Sequence, residues 1–392
     1  MNRFSMIAAA LLCAVLPFGA RAEGEGATLR LMGDASVWWL LDEQVESGQI
    51  QPGSLDRAAD SASGFNFRQG RLAFIALSPD GKMEALIRIR LEERTDIIDF
   101  YGAYHHSAPL NFYVGQMKIP STAEVLNPDQ SLDFITRSTF GQLIGDYSLS
   151  RTPYISSLMA VRSYNRDLGL ALKGSFPETA GPGLSWFLMV SNGIGGGYYV
   201  GGSESPEFLY ANKFGDYFYG ARVEARPVEG LMIGGHYSIN RHDNVILQDK
   251  NTVADFEREA WSADAEVRFP FGLRVYGFYG QGRMDDFFNS QHYDFDWSGW
   301  GLQAVQALAG GQVELAGRYD TMGQEFQQDG NVIEQNNWTF GANWRPNPFF
   351  RLQADYVWKD TVDKSMVDLD DDMIVLNFQF LFDLAVSATA PE

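Results

Sequence analysis

The sequence predicts an all-β fold, a sixteen-stranded antiparallel transmembrane β-barrel with short periplasmic turns and long outer loops. Three observations predict it. Segments of about ten residues alternate apolar and polar, so each strand has one apolar and one polar face. The connections between them alternate short and long. A secretory-signal pattern precedes them all.

Residues 1–22 carry that pattern: Arg3, an apolar run over 4–19, and Ala20-Arg21-Ala22 as an A-x-A cleavage site. The apolar run is short and holds Pro17, whereas a spanning helix needs roughly 20 apolar residues. Cys13, the single cysteine of 392 residues, lies inside this segment, which leaves 23–392 without a disulfide or a cysteine metal site. The formal charge is −20, and removing Arg3 and Arg21 makes it −22. So acidic a chain does not suit nucleic acid, whose phosphates need a basic surface. With 45 % hydrophobic and 14 % aromatic residues the chain is not disordered.

Sixteen strands are expected over 28–41, 65–78, 82–94, 97–106, 110–119, 166–176, 184–193, 216–226, 231–241, 258–269, 273–283, 297–308, 312–321, 336–345, 350–359 and 373–382. In 83–92, Met83, Ala85, Ile87 and Ile89 share one face, while Glu84, Leu86, Arg88 and Arg90 share the other. Short turns such as Ser78-Pro79-Asp80-Gly81 and Phe269-Pro270-Phe271-Gly272 hold the residues tight turns require. Longer polar connections fall at 42–64, 194–215, 242–257 and 360–372. All nine Trp lie in predicted strands, as interfacial girdles require. Strand edges in hydrocarbon would leave backbone groups unpaired at several kcal/mol each, so the sheet must close. Sixteen strands leave an aqueous lumen.

The longest connection, 120–165, is the functional suspect. Asn127-Pro128-Asp129-Gln130 reads as a helix start. Phe134, Ile135, Phe140, Leu143 and Ile144 give the loop an apolar side that must pack on something, and folding into the lumen satisfies it. Basic residues concentrate here: 63–174 carries 12 basic and 11 acidic residues, against 14 and 31 in 175–392. Arg71, Arg88 and Arg90 have inward parity, Lys118 ends the strand before the loop, and Arg137 lies within it. These five are the candidate pore-lining selectivity residues, because the charge at the narrowest point sets ion preference. Glu124, Asp129, Asp133 and Asp146 are the acidic candidates on the constriction loop, facing them. The arginines could equally serve as structural ion pairs with acids such as Glu84.

Acidic pairs such as Asp285-Asp286 read as solvated loop faces, and no metal site or cofactor is expected. No catalytic constellation is recognisable either. His242-Asp243 is the nearest thing to a dyad, and no H-E-x-x-H or G-x-S-x-G motif occurs.

Several stretches resemble the phosphate-selective porin O and P family: 68–76 (RQGRLAFIA), 99–104, 113–120 (YVGQMKIP), 132–138, 166–172, 338–345 (WTFGANWR), 350–356 and 373–382. Gly115-Gln116-x-Lys118-x-Pro120 is the most specific of them. The resemblance implies a sixteen-stranded barrel of the bacterial outer membrane, a homotrimer, and a third loop folded into the channel. It implies lipid and lipopolysaccharide surroundings and small ionic solutes as partners, phosphate among them. This chain has few lysines, and ten residues (383–392) follow Phe382, where such barrels commonly end on an aromatic. The expected function is a passive diffusion porin, anion- or phosphate-preferring. The alternatives are a general or cation-preferring porin, and a surface receptor or adhesion barrel with little conductance.

Overall fold

The computed structural model describes residues 27–42, 63–91, 96–148, 165–176, 182–193, 198–199, 217–246, 253–288, 291–327, 332–363, 369–370 and 372–387. The predicted signal, 1–22, lies outside them. Sixteen strands form the wall: β1 (Thr28–Asp42), β2 (Ser63–Leu77), β3 (Met83–Arg90), β4 (Asp96–Ser107), β5 (Leu110–Lys118), β6 (Arg166–Phe176), β7 (Gly183–Ser191), β8 (Phe218–Arg226), β9 (Leu231–Ile246), β10 (Val253–Arg268), β11 (Leu273–Phe288), β12 (Gln291–Leu308), β13 (Val313–Phe326), β14 (Val332–Asn347), β15 (Phe350–Asp363) and β16 (Met373–Ser387). Each pairs antiparallel with its neighbours in sequence. β1 pairs with both β2 and β16, which closes the sheet into a barrel. Two-residue strands at Tyr198–Tyr199 and Leu369–Asp370 sit at the edges of β4 and β15.

Side chains alternate as the sequence requires. On β12, Phe295 and Trp297 are buried inside while Trp300 and Leu302 are exposed outside. On β16, Asn377 and Gln379 face in, and Ile374, Phe380 and Leu384 face out. The outward residues are large and apolar on almost every strand, as a lipid-facing wall demands. Trp300, Tyr319 and Trp338 stand in neighbouring outward positions with their rings in contact, and Trp261 meets Tyr279 in the same way. Two tryptophans depart from the girdle expectation. Trp297 faces inward against Phe140, and Trp38 packs beside an inward cluster.

Several outer strand ends run beyond the sequence reading, with β11 reaching Phe288, β12 starting at Gln291, β13 reaching Phe326, β14 starting at Val332 and β15 reaching Asp363, while β3 stops short at Arg90. β9 continues to Ile246 and β10 starts at Val253, so most of the predicted loop 242–257 is strand. The alternation fades there because the register shifts between His242 and Val245, while pairing continues to Ile246 and Val253. β16 runs past Phe382 to Ser387, and Thr28 to Met32 pair with Ser387 to Asp383. Half of the predicted extension 383–392 is therefore barrel wall, which leaves the last strand's outward row at Leu384 rather than at Phe382.

The connection after β5 folds inward. It holds α1 (Ala123–Leu126), a single 3-10 turn (Asp129–Ser131) and α2 (Thr139–Ser148). The expected helix at Asn127 is only that turn: Asn127 ends α1 in extended conformation. Beyond it, inward side chains of the wall take up the backbone groups that a helix would have used.

Candidate functional site

The loop crosses the lumen from its origin at β5 and β6 to the wall formed by β8–β15. Apolar contacts seat it. Val125, Phe140 and Ile144, fully buried, join Met232, Tyr276, Phe278, Met284, Phe295, Trp297 and Met322. Phe140 stacks on Phe278 with ring centroids 5.2 Å apart. Gly280 and Gly299 make room for it, since a Cβ on either would strike the Phe140 ring. Phe134 packs on Val305 and Ala316, and Ile135 on Leu40, Val357 and Val375. Burying each such side chain stabilises by roughly 1.5–3 kcal/mol. The side chain of Leu143 lies outside the described residues.

Polar groups finish the attachment. The carboxylates of Asp264, Asp320 and Asp355 accept hydrogen bonds from the backbone N–H of Ala123, Thr139 and Ile135, at 2.8, 2.8 and 2.6 Å. Arg351 donates to the carbonyls of Gln130 (3.2 Å) and Leu132 (2.6 Å), and Arg318 donates to that of Thr136 (2.9 Å). The loop's unpaired backbone is thus satisfied by the wall, as burial requires. Sequence reasoning missed these five wall residues. Their signal was present: a charge at an inward position of a strand.

The predicted residues fall into two groups. Arg71 and Arg137 both pair with Asp129. The Lys118 ammonium, close by, donates to the carbonyls of Val125 (2.7 Å), Leu126 (3.0 Å) and Asn127 (2.8 Å), the exposed end of α1. Burial alone would raise the Asp129 carboxyl, but Arg71, Arg137 and Lys118 outweigh it and hold it well below the usual carboxylate range. Arg88 pairs with Asp99 at 2.8 Å, and Arg166, which the sequence reading left out, pairs with it at 2.6 Å. Arg90 is buried beside Arg71 in register.

The acids do not face this cluster as a group. Asp129 belongs to it. Glu124 is buried, bonded by the N–H and hydroxyl of Ser138 at 2.8 and 2.6 Å, with Arg318 at 3.7 Å. Asp133 pairs with Arg274 and accepts from Gln303 at 3.0 Å. Burial pushes the Asp133 carboxyl up despite Arg274. Asp129, Glu124 and Asp133 each sit beside their own cation or donor, which a shared opposing ring would not provide. The side chains of Asp146, His242 and Asp243 lie outside the described residues.

What remains on the β1–β6 side is a basic wall, to which the loop adds Arg137. Arg68, Arg71, Arg88, Lys118, Arg137 and Arg166 act on one another and on Asp34, Asp99 and Asp129, and cations outnumber acids. Arg71, Arg88 and Arg137 keep 15 %, 27 % and 16 % of their side chains exposed, so the excess charge reaches lumen water.

Comparison with known proteins fits this geometry. Residues 271–383 match the family model described as phosphate-selective porin O and P. The match takes in β11–β15 and most of β16, including WTFGANWR and FRLQADY; the similar stretches between 68 and 172 lie outside it. No curated protein sequence matches. Among solved structures, the in-vitro folded trimer form of OmpT, an outer membrane protein of Vibrio cholerae, aligns at TM-score 0.59 and 11 % identity over 91 % of this chain and all of that one. OmpF of Salmonella typhi in complex with daunomycin aligns at 0.60 and 11 %, over 91 % and 98 %. An anion-selective porin from Comamonas acidovorans aligns at 0.57 and 11 %, over 92 % and all. The chain is a multi-pass β-barrel of the bacterial outer membrane.

Proposed function

We propose that the chain is a passive diffusion channel for small hydrophilic anions, inorganic phosphate among the candidates, and that it assembles as a homotrimer. The basic wall facing a lumen narrowed by the loop carries this reading. A solute must pass beside the Arg71–Asp129–Arg137 bridge that joins wall and loop, and an excess of cations at a constriction favours anions. Arg71, Arg88, Arg90, Lys118 and Arg137 serve as the filter, with Arg166 added. Asp129 and Asp99 space the arginines rather than oppose the solute. The anion-selective porin of the same fold supports the preference, and the trimeric OmpT supports the assembly. Residues 1–22 would direct export and be removed. Planar-bilayer recording of the folded protein tests the channel: stepwise conductance supports it. A heat-modifiable barrel that passes no current would sink it in favour of a receptor or adhesion barrel.

A further inference from the structure

Below the basic wall, toward the short turns, the lumen face of β4–β7 carries a second feature. Lys173 on β6 points inward, and its ammonium lies 4.6 Å from the ring centroid of Tyr113 and 4.2 Å from that of Phe187. Tyr101 meets Tyr113 edge to face at 5.6 Å, and Leu126 of the inward loop packs against the same apolar cluster, which includes Phe187. Among the described residues neither the Lys173 ammonium nor the Tyr113 hydroxyl has a hydrogen-bond or ion-pair partner. The nearby acids are engaged elsewhere. Asp99 is held by Arg88 and Arg166, and Glu84 accepts from Tyr101 at 2.9 Å and contacts His105 at 3.2 Å.

We infer that Lys173 with Tyr101, Tyr113 and Phe187 forms a binding subsite for an organic monoanion with an apolar or aromatic body, such as an aromatic carboxylate. The subsite lies in the lumen of the channel proposed above and rests on that reading. An ammonium flanked by ring faces offers one charge and three donors to a carboxylate. The rings hold the ammonium in place and present apolar surface to the rest of the solute. The free Tyr113 hydroxyl adds a donor. A phosphate dianion fits worse, since Lys173 supplies only one positive charge, Glu84 nearby repels a second negative charge, and the ring faces offer apolar surface that phosphate cannot use.

Benzoate, acetate and inorganic phosphate, titrated calorimetrically into the folded protein in detergent, test this. Benzoate is expected to bind about tenfold or more tighter than acetate. Lys173→Met is expected to weaken benzoate about tenfold, with Lys173→Arg restoring most of it. Phe187→Leu is expected to bring benzoate toward acetate while sparing acetate itself. Lys82→Met, in an exposed turn, serves as the control. Equal binding of benzoate and acetate by the unaltered protein would overturn the subsite, as would benzoate affinity indifferent to Lys173→Met. Phosphate bound more tightly than benzoate would overturn the ligand class. Because binding is read without current, a protein that conducts but ignores benzoate loses only the subsite. One that binds benzoate but never conducts loses only the channel.

Discussion

Asp129 shows how one loop carboxylate can hold the filter together. It takes both Arg71 and Arg137, and its carboxyl is held well below the ordinary value of 3.8. A group depressed in the folded state contributes stability above its unfolded value and loses it as pH falls toward the folded one. The Asp129 bridge to Arg71 and Arg137 is therefore expected to persist from pH 7 to pH 4, whereas the Asp133–Arg274 pair, whose carboxyl is raised, loosens first. A rise in single-channel noise over that range should vanish in Asp133→Asn and not in Asp129→Asn. Asp129→Asn at pH 7 should already show the loosened state, with more noise and stronger anion preference. Removing one partner of a buried ion pair typically costs about 3–5 kcal/mol. An Asp129→Asn channel as quiet and as selective as the parent would refute the anchoring role. The arginines of the filter were readable from inward parity at Arg71, Arg88 and Arg90. The identity of their partners was not, because Asp129 comes from a loop whose path parity does not govern.

The inward loop is seated mainly by Phe140, which fits only because Gly280 and Gly299 lack side chains. Phe140→Ala should cost about 3–5 kcal/mol of loop attachment. Gly280→Ala should act from the other side by displacing the same ring. Both are expected to raise conductance and its fluctuation while the barrel stays heat-modifiable. Unchanged conductance in both variants would mean that the loop does not narrow the lumen. That the loop would fold inward was legible from Phe134, Ile135, Phe140 and Ile144, an apolar face without a partner nearby. Its helices were not. The Asn127 cap signal gave one 3-10 turn, because Arg351 and Asp355 on the far wall claim the backbone that would have continued a helix. Local propensity yields when tertiary contacts offer better partners.

At the scale of the whole molecule, all sixteen strands could be located from alternation and turn residues alone. Their outer ends were not legible: β9 to β15 run several residues past the alternating segments toward the long loops. Nor was the end of β16, which runs past Phe382. Closure by β1 and β16 gives a clean test. Truncation after Ser387 should leave folding yield unchanged. Truncation after Phe382 removes the pairs of Thr28 to Met32 and should sharply lower the yield of heat-modifiable barrel. The exposed Arg30–Asp383 ion pair lost with it adds little. Charge also separates by scale. The chain as a whole is strongly acidic, yet the β1–β6 side of the lumen is basic, so net charge and selectivity need not agree in sign. The reversal potential of the folded protein in a planar bilayer under a KCl gradient tests this most directly. A potential of the sign set by chloride permeating faster than potassium is expected, shrinking when Arg71 and Arg88 are replaced by Gln. A potential set by potassium, with those replacements making no difference, would contradict the basic wall as the filter.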